Sequence, residues 1–112
     1  MTTNKKNMDY DMMDTLILWI DNTRFLYESV KYICKNLARK RVRGTYKKEL
    51  APKAFYGVVC NAMKDYCKHE KFQCSWYRLL TVEERKVLCE RLVNENKYIV
   101  TDYVHDLLLR RK

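Results

Sequence analysis

Apolar residues recur along most of the chain at the spacing of one helix face, rather than alternating as they do in a half-buried strand. One stripe is formed by Leu26, Val30, Ile33 and Leu37. A second, longer stripe is formed by Ala51, Phe55, Val58, Ala62 and Tyr66. Because residues three and four apart lie on the same side of an α-helix, both segments are predicted to be amphipathic helices.

Polar and turn-forming residues predict where these two helices begin and end. Asp21 and Asn22 are favourable caps for the first, which is predicted to run to about Arg41 and to stop at Gly44. The second is predicted over residues 48–69. Pro52 then lies in its first turn or so, where a missing N–H costs little. This proline argues against one continuous helix through both stripes.

Three further elements complete the prediction. Residues 15–20 form a short apolar run that Asp14 is able to cap as a helix, although a strand also fits so short a run. Thr81 and Glu84 have the spacing of a capping box, which predicts a helix that begins at Val82. An irregular link over residues 71–80 precedes that helix, and a last helix is predicted over residues 98–110.

The predicted fold is therefore all-α, a compact bundle of four to five helices whose short links make sequential neighbours roughly antiparallel. The chain has only two glycines and one proline in 112 residues, too few for the many tight turns of a β-sandwich or barrel. We predict a single helical domain over residues 14–112. Residues 1–13 are predicted to be a frayed N-terminal segment.

No apolar run approaches the roughly 18 residues of a membrane span, and the first fourteen residues lack the apolar centre of a secretory signal. The five cysteines are an odd number in a chain without such a signal, which predicts reduced thiols packed as small apolar groups. We therefore expect a cytoplasmic protein with no membrane partner.

Metal binding and catalysis are not predicted. The cluster with the most suitable side chains is Cys60, Cys67, His69 and Cys74, but it contains no C-x-x-C or H-x-x-x-H pair. The chain also lacks glycine-rich phosphate loops and nucleophile motifs. The acidic group Asp9, Asp11 and Asp14 is interpreted as negative charge ahead of a helix N-terminus. The sequence thus predicts no metal site, no cofactor and no enzymatic activity.

Charge is the most informative local feature. The chain has 23 Lys and Arg against 14 Asp and Glu, a net charge of +9. Residues 35–48, here called the basic segment, hold seven of these cations and no acid: Lys35, Arg39, Lys40, Arg41, Arg43, Lys47 and Lys48. Tyr46 lies among them and is a candidate for stacking on an unpaired base. Several closely spaced cations are able to contact a phosphate backbone together, so these eight residues are the predicted nucleic-acid-binding site.

Two other interpretations of the same residues remain open. Lys and Arg are favoured in the last turn of any helix by the helix dipole, which would make the segment an ordinary solvated helix end. A surface of Tyr and Arg also suits a protein partner, and Tyr27, Tyr32 and Tyr56 fall beside the apolar stripes where they are expected to be exposed.

Three stretches of the chain resemble small proteins encoded by bacteriophages, including crAss-like phages of gut bacteria. They are LWIDN at residues 18–22 with Leu26-Tyr27 after it, ARKRVRGTYKKELAPKAFY at residues 38–56, and the later KDYCK and WYRLL. The resemblance spans about residues 15–95. It implies a phage-encoded protein that works in the cytoplasm of a bacterial host, and it implies no activity and no functional residues.

Two functions are therefore expected. The first is a basic accessory protein that binds the backbone of DNA or RNA through the basic segment. The second is a protein-interaction module or an inhibitor of a host or defence protein, acting through a helical Tyr/Arg surface. An inhibitor that mimics DNA would have to be acidic, which this chain is not.

Overall fold

The structure is a computed structural model that describes residues 8–71 and 75–110. Its α-helices are α1 (Tyr10–Asn22), α2 (Arg24–Arg43), α3 (Tyr56–Glu70), α4 (Val82–Glu95) and α5 (Lys97–Arg110). Two 3₁₀ elements, Lys48–Phe55 and Trp76–Arg78, precede α3 and α4. Within the described ranges there is no β-strand. The prediction of an all-α bundle of four to five helices is confirmed.

The N-terminal part of the domain begins earlier than predicted. Helix α1 starts at Tyr10, five residues before the predicted start, and includes the run over residues 15–20 for which a strand was the alternative. Asp9 caps this helix by accepting the backbone N–H of Met12 at 3.0 Å. Since Met13 is fully buried, the predicted domain boundary at residue 14 is too late. Residues 1–7 of the predicted frayed segment lie outside the described residues.

A single buried carboxylate explains this early start. Glu84 Oε1 accepts the backbone N–H of Thr81 at 2.7 Å and completes the predicted capping box of α4. Its Oε2 accepts the backbone N–H of Asp9, 75 residues away in sequence, at 2.8 Å. One side chain therefore satisfies the N-cap backbone of two helices, where the helix dipoles also favour negative charge. This long-range contact holds the start of α1 against the start of α4.

Helix α2 is the central element of the bundle. Asp21 and Asn22, the predicted caps, belong to α1 instead, and one extended residue, Thr23, separates the two helices. Most of the predicted stripe is buried, but Ile33 is only partly so. Cys34 and Ala38 are fully buried, so the core-facing side of α2 is rotated around the helix axis from the predicted stripe towards these two residues. Helix α5 packs along α2, and Asn96 alone separates α5 from α4.

The predicted helix over residues 48–69 is divided into two elements. Its first eight residues form the 3₁₀ helix Lys48–Phe55, and the α-helix begins only at Tyr56. Pro52 has no N–H to donate and restricts the residue before it, so the shorter i to i+3 pattern replaces regular α-helical bonding here. Ala51 and Phe55 are nevertheless buried, as the apolar stripe predicts.

The end of α2 is a Schellman motif centred on Gly44. Gly44 adopts a left-handed conformation with φ of 80°. Its N–H donates to the carbonyl oxygen of Arg41 at 3.2 Å, and the N–H of Thr45 donates to the carbonyl oxygen of Lys40 at 2.9 Å. These two bonds satisfy helix carbonyls that would otherwise lack partners. The motif reverses the chain and brings the link that follows back towards the last turn of α2.

Substitution by alanine is expected to change the free energy of unfolding in opposite directions at the two glycines. A Cβ at Gly44 or Gly57 would meet no atom within 4 Å, so sterics with neighbours do not decide either case. We expect Gly44→Ala to lower the free energy of unfolding by about 1–2 kcal/mol, because alanine is strained at positive φ. Gly57 lies in the first turn of α3 without a positive φ, so Gly57→Ala is expected to raise it by about 0.5 kcal/mol. Urea denaturation monitored by circular dichroism measures both, and a stabilising Gly44→Ala would contradict the motif.

Candidate nucleic-acid interface

The basic segment occupies about the last two and a half turns of α2, the reversed link and the first residue of the 3₁₀ helix. All seven of its cationic side chains are exposed: Lys35, Arg39, Lys40, Arg41, Arg43, Lys47 and Lys48. Within residues 8–71 and 75–110, none of the seven forms an ion pair with an acid. Their charge is therefore available to a ligand.

Several cations elsewhere on the protein differ in this respect. Arg91 contacts the Asp14 carboxylate at 2.7 Å, and Arg110 contacts that of Asp106 at 2.9 Å. Arg24 contacts Glu28 at 3.3 Å. Exposed pairs of this kind add little stability, but they place a negative charge beside the cation. The basic segment thus combines a high density of exposed positive charge with the absence of any ion pair among the described residues.

The cations of the segment do not all face one direction. Lys35, Arg39 and Arg43 follow one another at intervals of four residues and share a face of α2. This row lies beside α5, where the Lys35 ammonium is 5.6 Å from the centroid of the Tyr103 ring. Arg41 lies on another side of the helix, and its guanidinium carbon is 5.9 Å from the centroid of the Tyr46 ring. The cations that lie close together in sequence therefore point to several sides of the end of α2.

Tyr46 has a structural role as well as a place in the candidate site. Its side chain is only partly buried and packs against the hydrophobic core. It lines two clefts. The sequence predicted only a stacking role for Tyr46, and its packing against the core, which holds the link in place, was not predicted.

The larger of these clefts, about 880 Å³, has a mixed-charge lining. It lies between the 3₁₀ helix and the junction of α4 with α5. Arg41, Lys48 and Lys97 contribute positive charge, whereas Glu49 and Glu90 contribute negative charge. We refer to it as the mixed-charge cleft. Its two carboxylates would repel a phosphate group that entered it.

The smaller cleft, about 430 Å³, lies between the end of α2 and the 3₁₀ helix and has no acidic residue in its lining. We refer to it as the lysine cleft. Its cations are Lys40, Lys47 and Lys53. Neither Lys53 nor Lys97 belongs to the predicted site. In sequence, Glu49 separates Lys53 from the basic segment, and helices α3 and α4 separate Lys97 from it. The fold brings both lysines close to the basic segment, Lys53 through the 3₁₀ helix and Lys97 through the packing of α5 on α2.

The acidic group near the N-terminus fits the sequence interpretation only at Asp9, because Asp11 and Asp14 lie within α1 and not ahead of it. Asp9 caps α1 and Asp14 pairs with Arg91. In the part of the chain that the structure describes, no group of three or more His, Cys, Asp or Glu side chains is arranged to hold a metal ion. Cys74 of the considered cluster lies outside the described residues. His69 lies 3.6 Å from the Asp65 carboxylate instead.

Among the described helices, none combines the length and the apolar character required to cross a membrane. The chain matches no model of a known protein family, and it has no significant match among curated proteins or solved structures.

Two buried thiols give a direct test of the core packing around α2 and α4. Burial raises the pKa of the Cys34 thiol to about 11 and, with smaller contributions from Cys60 and Glu90, that of Cys89 to about 12. At pH 8 their thiolate populations are then about 100-fold or more below that of an ordinary cysteine. We expect alkylation of Cys34 and Cys89 in the native protein to lag behind that of the less buried Cys60.

Peptide-resolved mass spectrometry after timed iodoacetamide treatment measures these rates. The same reaction in urea is the control, in which the three cysteines should react alike. Rapid native alkylation of Cys34 would contradict the packing of α2 described here.

Proposed function

We propose that this protein binds the phosphate backbone of nucleic acids through the basic segment, largely without regard to base sequence. The observation that carries the proposal is the set of seven exposed cations that have no acid paired with them among the described residues. Release of condensed counterions when several such cations meet phosphates drives binding of this kind. A protein of net charge +9 is also attracted to a polyanion over longer distances.

The biological setting that fits this activity is that of a bacteriophage accessory protein in the cytoplasm of its host, acting by binding rather than by catalysis. The sequence resemblance to phage-encoded proteins supports the setting. The lack of a catalytic motif in the sequence supports a binding role.

A second candidate function is binding of a host or defence protein, and one surface feature favours it. Phe25 and Tyr32 are 53% and 64% exposed on the outer side of α2. They line a groove of about 470 Å³ between α2 and α3, together with Gly57, which contributes no side chain. Exposed aromatic residues beside a groove are typical of protein interfaces. This groove is separate from the basic segment, so substitutions are able to distinguish the two functions.

Charge neutralisation with a matched control tests the nucleic-acid proposal. The first variant replaces Arg39, Lys40, Arg41 and Arg43 by Gln. The second replaces four exposed cations elsewhere by Gln, none of which forms an ion pair among the described residues: Lys64, Lys68, Lys71 and Arg78. Both lower the net charge from +9 to +5, and glutamine is a good helix former. We expect the first variant to lose most of its affinity for a fluorescent 15-nucleotide DNA, and the second to retain most of it.

The salt dependence gives the number of contacts. If four or five phosphates are neutralised, the logarithm of the binding constant should fall against the logarithm of salt concentration with a slope of about −3 to −4.5, the smaller magnitude being expected for a single strand. The first variant should lose most of that slope. Equal losses in the two variants would show a net-charge effect without a site. No binding of DNA or RNA at micromolar protein and low salt would contradict the proposal in favour of the protein-partner function.

A further inference from the structure

The lysine cleft combines features that the basic segment as a whole does not have. Its three lysines come from three different elements: Lys40 from the last turn of α2, Lys47 from the link, and Lys53 from the 3₁₀ helix. All three side chains are exposed at the rim. Lysines that converge on one concavity from separate elements are able to surround a single anionic group, which a row along one helix cannot do.

The backbone around the cleft is held in place by hydrogen bonds. The Lys40 carbonyl oxygen accepts the N–H of Thr45 at 2.9 Å. The Lys47 carbonyl oxygen accepts the N–H groups of Leu50 and Ala51 at 3.0 and 3.2 Å. Two of the three lysines are therefore fixed at the backbone by the turn that closes α2 and by the start of the 3₁₀ helix. Because the backbone is already ordered, ligand binding has to order only the lysine side chains, which lowers the entropy cost of binding.

The remaining lining of the cleft is mainly apolar. Leu37 and Ala51 are buried, Leu50 and Ala54 are exposed, and Tyr46 forms one wall. An apolar surface next to an aromatic ring suits the flat face of a nucleobase, while the lysines at the rim suit its phosphate. In the mixed-charge cleft on the other side of Tyr46, Glu49 and Glu90 oppose the same ligand.

We propose that the lysine cleft seats an unpaired nucleotide of a single-stranded DNA or RNA, with the phosphate held among Lys40, Lys47 and Lys53. This inference rests on the proposed function and names its substrate class. In a duplex the bases are stacked inside and only the convex backbone is presented, so a duplex contacts the lysines without entering the cleft. A flexible single strand is also able to bend around the end of α2 and contact cations on several of its sides, whereas a rigid duplex contacts only one side of the helix.

The first test compares two side chains of nearly the same size at one position of the cleft, only one of which carries a negative charge. Ala54 lies at the exposed rim, so Ala54→Glu is compared with Ala54→Gln, which is nearly isosteric and neutral. A carboxylate a few ångströms from a bound phosphate should weaken binding of 15-mer oligothymidine and oligouridine about fivefold or more relative to Ala54→Gln. Binding of a 15-base-pair duplex should differ much less between the two variants. Oligothymidine and oligouridine together separate a DNA preference from an RNA preference.

The second test uses a residue outside the basic segment and does not depend on Ala54→Glu folding. Lys53→Gln is compared with Lys86→Gln, which removes one exposed cation from α4. The single-strand salt slope should fall by about 0.7 in magnitude for Lys53→Gln and stay near the wild-type value for Lys86→Gln.

The outcomes separate this inference from the proposed function. If wild-type protein binds duplex at least as tightly as single strands, and both pairs of variants behave alike, the lysine cleft is not the site while backbone binding by the basic segment stands. If wild-type protein binds neither form of nucleic acid, both proposals are wrong.

Discussion

The left-handed turn at Gly44 is the constraint on which the candidate site depends. Helix α2 buries its core side along most of its length, and its cations collect where that helix emerges from the bundle. The turn ends the helix within one residue and sends the chain back towards it. Without this reversal Lys47 and Lys53 would lie away from Lys40, and the basic segment would be a charged helix end rather than a site with a concave surface.

Interactions between residues close in sequence were predicted well. The capping box of Thr81 and Glu84 requires only two residues three apart, and α4 begins at Val82 as predicted. The end of α2 near Gly44 followed from the conformational freedom of glycine and the cations in the last turn. Amphipathic periodicity located most of the core, because burial of an apolar face dominates helix packing.

What could not be predicted depends on contacts between distant residues. The early start of α1 rests on the bond between the Asp9 backbone and the Glu84 carboxylate, and no local pattern reveals a partner 75 residues away. The same holds for the site. The closely spaced cations identified the basic segment. Its division between two clefts follows from the 3₁₀ helix that contains Pro52, and this division could not be predicted. For the same reason Lys53 was not predicted to belong to the site. Only the structure shows that Glu49 and Glu90 both line the mixed-charge cleft and that neither lines the lysine cleft.

The distribution of cations suggests a division between structural and functional charge. Arg85 is buried and is used by the fold, since it donates to the carbonyl oxygen of Tyr77 at 2.6 Å and to the hydroxyl of Tyr56 at 3.2 Å. Arg91 joins α4 to α1 through Asp14. The basic segment provides few such contacts, and its mutual repulsion works against the folded state. A ligand that neutralises these charges would remove that repulsion and stabilise the protein in proportion to its occupancy.

Backbone amide shifts in a ¹⁵N-labelled sample, followed as a 15-nucleotide single strand is added at low salt, test the central claim most directly. The account predicts that the largest shifts occur at the amides of residues 39–54, around the end of α2 and the 3₁₀ helix, and that they reverse when salt is raised. Shifts centred instead on Phe25, Tyr32 and Gly57, or spread evenly over every exposed lysine, would contradict a nucleic-acid site at the basic segment.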